Sequence, residues 1–231
     1  TSNQSYTSDL ANLFNTLTGY SRTPRFKKLL IAPYTLHDQT LKFINNEKEA
    51  ANKGMPARII IKVNSLIDKP TIDALYQASQ SGVKVDLIVR GICGLIPGVR
   101  GLSENIKVRS ILGRFLEHSR VFYFHNATPG RKLYVGSADW MPRNFLRRVE
   151  AVFPIEDPEQ IKSVLKDLEY SIMDNEGASV LKRDGTYAKV KMHPRAKKTF
   201  SVQQILVEDS ERKSINLVNK NSATASRKTK D

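Results

Sequence analysis

Three short apolar runs, Leu29–Pro33, Arg58–Val63 and Val83–Val89, alternate with two stretches of helical periodicity, and that alternation admits few architectures. The third run is the plainest strand in the chain: Val83, Val85, Leu87 and Val89 interleave with Lys84, Asp86, Ile88 and Arg90. Between the first two, Thr35 with Asp38 three residues on resembles a capping box ahead of Leu41, Ile44 and Ala51, and Gly54 ends the segment. Between the second and third, Pro70 sits in a first turn followed by Ile72, Leu75 and Ala78, with Gly82 as the stop. This succession predicts an α/β fold with a mixed, partly parallel sheet flanked by helices. Ligands of such sheets collect beyond the carboxyl ends of the strands, where this chain places Lys62, Asn64 and Arg90. A cation at a strand end is more often solvated than functional, so position alone does not make a site.

The flanks read as appendages to this body. Residues 1–24 are expected to be an N-terminal helix and linker: a frayed, abrupt start suggestive of a longer protein, then Ser8-Asp9 capping a helix with Leu10, Leu13, Phe14 and Leu17 on one face. Residues 25–190 form the expected main domain. They end with a strand over Val149–Ile155, a packing helix from Asp157-Pro158, and a hairpin centred on Asp184-Gly185. Residues 191–231 read as a basic tail, ten Lys/Arg against four Asp/Glu, with one amphipathic helix around Phe200–Val207. A lone cysteine, Cys93, excludes an internal disulfide and a cysteine-built metal site. The first twenty residues hold no signal-peptide core and no apolar run nears the ~20 residues of a membrane span, so an intracellular protein is expected. A net charge of +14 calls for an anionic partner without choosing among nucleotide, polyanion, nucleic acid and membrane surface.

Unusual chemistry is concentrated between Arg114 and Arg148. A loop with Glu117 and His118 leads into a β-run over Arg120–Phe124, a Pro129-Gly130 turn and a second run over Lys132–Val135. The Gly136-Ser137-Ala138-Asp139 segment, Trp140 and the cationic Arg143, Arg147 and Arg148 follow, with Glu150 beside them. Of the four histidines, His37, His125 and His193 invite structural readings, at a helix start, in a turn and in the tail. His118 is crowded by Glu117, Arg114 and Arg120, and pairing of the two runs brings Ser137 and Asp139 near it. An imidazole, with a reference pKa of about 6.5, can donate, accept or carry a phosphoryl group near neutrality. Guanidinium groups are permanently charged forks fitted to phosphate oxygens. Gly91, Gly94, Gly98 and Gly101 supply a loop whose amides could approach an anion, although it matches neither common phosphate-loop pattern. The residues alone point to phosphoryl or phosphodiester chemistry and leave the choice open.

Five segments in order, ANLFNTLTGYS from Ala11, GMPARIIIKVNSLID from Gly54, GVKVDLIVRGICGLIPG from Gly82, RFLEHSRVFYF from Arg114 and GSADWMPRN from Gly136, resemble the C-terminal catalytic domain of bacterial polyphosphate kinases. The resemblance runs from about Asp9 to Val190 and implies a phospholipase-D-like fold, transfer of the ATP γ-phosphate to inorganic polyphosphate, and dependence on Mg2+. It implies that Arg90 binds ATP phosphates and that His118 is the family's second active-site histidine, an acid or phosphate-binding group. Arg148 and Glu150 align with polar residues lining that site; Lys62, Asn64, Ser137 and Asp139 extend the list. The family's phosphorylated histidine and its magnesium site lie in preceding domains, so no metal ligand is expected here and the chain alone should be inactive. The resemblance further implies a homo-oligomer in the cytoplasm, with a peripheral place on the inner membrane face open to it. Phospholipase D-type phosphodiesterases are the rival: their HxK motif becomes His118-Ser119-Arg120 here, and His125 stands where their aspartate is expected. A basic nucleic-acid module would explain the charge but not the polar Gly-Ser-x-Asp-Trp knot, and no nucleic acid is expected as partner.

Overall fold

The computed structural model describes residues 2–20, 25–190, 199–212 and 214. Among them, one nine-stranded sheet runs β1 (Leu30–Ala32), β7 (Glu150–Ile155), β6 (Arg131–Gly136), β5 (Val121–Thr128), β2 (Arg58–Val63), β3 (Lys84–Val89), β4 (Ile106–Ile111), β8 (Ala178–Leu181) and β9 (Tyr187–Lys189). Only β2–β3 and β3–β4 pair in parallel; every other neighbour is antiparallel. The sheet is thus mixed and partly parallel, with helices on its faces. Two features go beyond the sequence reading. The first apolar run pairs antiparallel with β7 at the sheet's edge, and β4, unmarked in the sequence, continues the parallel set.

Helices α2 (Leu36–Asn52) and α3 (Lys69–Gln80) cover one face, and α5 (Pro158–Met173) with the helical residues 202–212 covers the other. Strand β2 shows why its apolar run is continuous. Ile59 and Ile61 join the core that holds Phe43, Ile44 and Leu75, while Ile60 joins the one that holds Leu168 and Val202. Each of these isoleucines is fully buried, worth roughly 1.5–3 kcal/mol apiece.

The expected caps fail in instructive ways. Helix α1 (Gln4–Leu17) starts earlier, capped by Asn3. Asp9 is instead wholly buried inside it and accepts backbone N–H bonds from Lys27, Lys28 and Leu29 at 2.7–3.0 Å, stitching α1 to the chain entering β1. Of the expected apolar face only Leu13 is buried; Leu10, Phe14 and Leu17 are exposed. Thr35 makes no cap bond: its hydroxyl accepts from the Ile31 N–H. His125 lies within β5, not in a turn, beside the Tyr123 hydroxyl at 3.0 Å. His193, residues 22–24 of the predicted link, and the basic stretches 191–198 and 215–231 lie outside the described residues.

Strand polarity positions the site. Strands β2, β3, β4 and β6 end, and β5 and β7 begin, at one edge of the sheet, so that edge collects loops from across the whole fold. Gly136 closes β6 there against β7. A β-carbon on it would lie 2.7 Å from the Ala151–Val152 strand at Val152 Cα and 2.6 Å from Val152 Cγ2. Gly136→Ala is therefore expected to lower the unfolding free energy by about 1–3 kcal/mol, the usual cost of overpacking, in urea titrations.

Candidate functional site

At this edge the Arg90 guanidinium, leaving the end of β3, crosses to the loop before β5. Its Nη1 donates to the Glu117 carbonyl at 2.6 Å and its Nη2 stands 3.4 Å from His118 Nε2. From the other side, Arg120 Nη1 donates to the His118 carbonyl at 3.0 Å and approaches His118 Nδ1 at 3.5 Å. A neutral imidazole has one acceptor nitrogen, so only one of the two ring approaches is a hydrogen bond at a time. The ring is exposed, flanked by two fixed positive charges. Arg114, expected to crowd it, lies instead over the Phe115 ring at 5.3 Å.

Beneath the histidine, Lys62 from β2 ion-pairs with Glu117, whose other oxygen accepts from the Gln203 amide at 2.9 Å. Burial works to raise the Glu117 carboxyl, but the charge and hydrogen bond of Lys62, the Gln203 amide and Arg90 outweigh it and hold the group below its ordinary 4.5. A lowered carboxyl stabilises the fold above its unfolded pKa and loses that contribution as pH falls through the folded value. Glu117→Gln should therefore unfold more easily than the parent above about pH 4.5, with the difference closing at more acid pH in paired urea titrations.

Asp139 is a brace. It receives the Asn64 N–H at 2.7 Å and the Nε and Nη2 of Arg120 at 3.2–3.3 Å, tying the β6 exit to the end of β2 and the start of β5. Trp140 behind it is fully buried, and its backbone bonds Ser65, Ile67 and Asp68. Ser137 donates to Glu150, which also accepts from Asn144 at 2.6 Å; Arg148 Nη1 lies 4.0 Å from the same carboxylate. The structure thus brings Lys62, Asn64, Arg90, His118 and Asp139 into one connected cluster, and Ser137, Arg148 and Glu150 into an adjoining one. Asn64 contributes backbone, while its side-chain Nδ2 is buried without a partner.

One sequence expectation does not survive, while the structural reading of His37 does. The amides of Gly91, Gly94 and Gly98 are spent on the carbonyls of Asn64, Leu66 and Ser103, so these three are not turned to an anion. His37 pairs with Asp68 at 2.9 Å, and that carboxylate caps α3, which makes the pair part of the scaffold. Sequence reasoning missed Arg120 as a bridging residue and Gln203 altogether; nothing local marks a glutamine whose partners lie 86 and 88 residues away.

A Mg2+ ion resident in this chain does not fit the side chains here. Among the described residues no group of three or more His, Cys, Asp or Glu could hold a metal, and the three site carboxylates are bonded to Lys62, Arg120 and Asn144. Nor is any described helix long and apolar enough to cross a membrane.

A mixed α/β domain that gathers arginines and an exposed imidazole at the strand ends is built to face an anion. The chain belongs to a defined family: residues 29–203 match the model described as polyphosphate kinase C-terminal domain 2. It is 54% identical over 180 residues to the polyphosphate kinase of Thermosynechococcus vestitus, covering 78% of this chain and 24% of that protein. It is 53% identical over 182 residues to the one from Pseudomonas aeruginosa, covering 79% and 26%. The crystal structure of polyphosphate kinase from Porphyromonas gingivalis superimposes with a TM-score of 0.86 at 33% identity, over 94% of this chain and 33% of that one. The chain spans about a quarter of the length of the curated relatives it matches.

Proposed function

We propose that this chain is the carboxyl-terminal catalytic domain of an ATP:polyphosphate phosphotransferase, acting in the cytoplasm with other domains of the same enzyme. The observation that carries the reading is the apposition of Arg90 and His118 at 3.4 Å on a strand-end edge, with Arg120 closing the other side. Phosphoryl transfer demands little covalent work from a protein and much positioning of positive charge around the equatorial oxygens. Arg90 supplies such a fork, and His118 is placed to hydrogen-bond or protonate a phosphate oxygen. The phosphorylated nucleophile, any metal and the base-recognition groups come from outside these residues. Arg148 and Glu150 line the adjoining wall, with Ser137 setting the Glu150 carboxylate.

The phosphodiesterase reading loses ground on the same geometry. Arg120, at the lysine position of that motif, is held by Asp139, and His125, at the aspartate position, is bonded to Tyr123 along β5. Purified full-length protein given ATP and Mg2+ is expected to make acid-labile polyphosphate and ADP; no synthesis would end the proposal. The 231-residue chain alone is expected to form none, while retaining saturable binding of ADP or short polyphosphate that Arg90→Ala weakens in calorimetric titrations.

A further inference from the structure

The loop that carries His118 has little packing of its own, since Leu112, Phe115 and Leu116 are all exposed, the last at 76%. One buried side chain from far along the sequence holds it. Gln203 Oε1 accepts the Phe115 N–H at 2.9 Å, and Gln203 Nε2 donates both to the Phe115 carbonyl and to Glu117 Oε1, each at 2.9 Å. The amide therefore pairs with Phe115 as a neighbouring strand would, and reaches on to the residue before His118.

Its own base is fixed. The Val202 N–H donates to Asp174 Oδ2 at 2.8 Å, Val202 is fully buried, and the other Asp174 oxygen takes the N–H groups of Glu176, Gly177 and Ala178 after α5. Gly113 supplies an independent sign of close fit: a β-carbon there would lie 2.8 Å from Gln203 Cδ. A continuous path thus runs from the end of α5 through Asp174, Val202 and Gln203 to Glu117, whose carbonyl orients Arg90 beside His118.

We propose that Gln203 is a positioning residue for catalysis, clamping the loop over 114–118 so that His118 and Arg90 meet the transferring phosphate together. This rests on the phosphoryl-transfer reading above. Gln203 is also the last residue of the span that matches the family.

Three variants of the full-length enzyme test it. Gln203→Ala is expected to lower kcat for polyphosphate synthesis ~10–100-fold with little change in the KM for ATP, the signature of misplaced catalytic groups. Gly113→Ala should do the same from the opposite side by pushing the amide away. Gln203→Glu keeps the acceptor for Phe115 but turns a carboxylate oxygen toward Glu117 and the Phe115 carbonyl. Its activity relative to the parent should rise as pH is lowered and the introduced carboxyl regains a donor, whereas the Gln203→Ala ratio stays flat. Wild-type kcat in folded Gln203→Ala, or a flat ratio for Gln203→Glu, overturns the proposal. Hydrogen exchange provides a readout independent of activity: the Phe115 amide should exchange faster in Gln203→Ala. Should the parent enzyme make no polyphosphate, the functional reading fails on its own, and unchanged Phe115 protection would still refute the clamp while faster exchange would support it.

Discussion

Arg90→Lys in the full-length enzyme is expected to reduce kcat for polyphosphate synthesis by about 10²–10³-fold, the range seen when a single preorganised donor to a developing charge is lost. The substitution keeps the positive charge, so the loss isolates geometry. One arm of Arg90 is committed to the Glu117 carbonyl at 2.6 Å, and the other reaches toward His118 Nε2 at 3.4 Å. A planar fork can satisfy the loop and still present donors to phosphate; an ammonium on a flexible stem is a point charge that must choose. The damage to the fold is small by comparison, about 1 kcal/mol for one hydrogen bond to a carbonyl. Steady-state kinetics read beside a thermal melt decide the matter, and a decrease of less than about tenfold with an intact fold would remove Arg90 from the mechanism.

Asp139→Ala should be the most destabilising change at the site, by about 3–5 kcal/mol in urea titrations of the chain. Its carboxylate is buried and receives three donors, the Asn64 N–H at 2.7 Å and two nitrogens of Arg120. Truncation strands a buried N–H at the end of β2 and leaves the half-buried guanidinium uncompensated. Asn64 Nδ2 adds a further buried donor without a partner beside the stranded groups and offers them no acceptor. Asp139→Asn keeps one acceptor for the backbone and should cost less. A loss under about 1 kcal/mol for the alanine variant would show that Asp139 is not the brace described here.

How much of this was legible in the sequence depended on the range of each interaction. Strands β2 and β3, the reversal at Pro129-Gly130 and the hairpin at Asp184-Gly185 are local signals, written in alternation and turn chemistry, and the structure has them. Strand β4, Ile106–Ile111, carries Lys107 and Arg109 inside a short run after a glycine-rich loop, so its pattern blends into its surroundings. Asp9 looked like a helix cap because Ser-Asp pairs commonly are caps; its true partners arrive 18–20 residues later. Strand ends marked Lys62, Asn64 and Arg90, and pairing of two runs marked His118 with Ser137 and Asp139, but only resemblance to a family tied Arg90 to His118. Arg90 and His118 are 28 residues apart, and Asn64 and Asp139 are 75 apart, distances over which no periodicity speaks.

The edge position of β1 sets a timetable for synthesis. Leu30 has its strand partner in Val152, 122 residues further on (152 − 30), and among the described residues no other strand flanks β1. A ribosome adding about 5–20 residues per second needs on the order of 6–24 s to deliver that partner. Throughout that interval the apolar Leu-Ile-Ala segment waits on the nascent polypeptide for the strand that completes it.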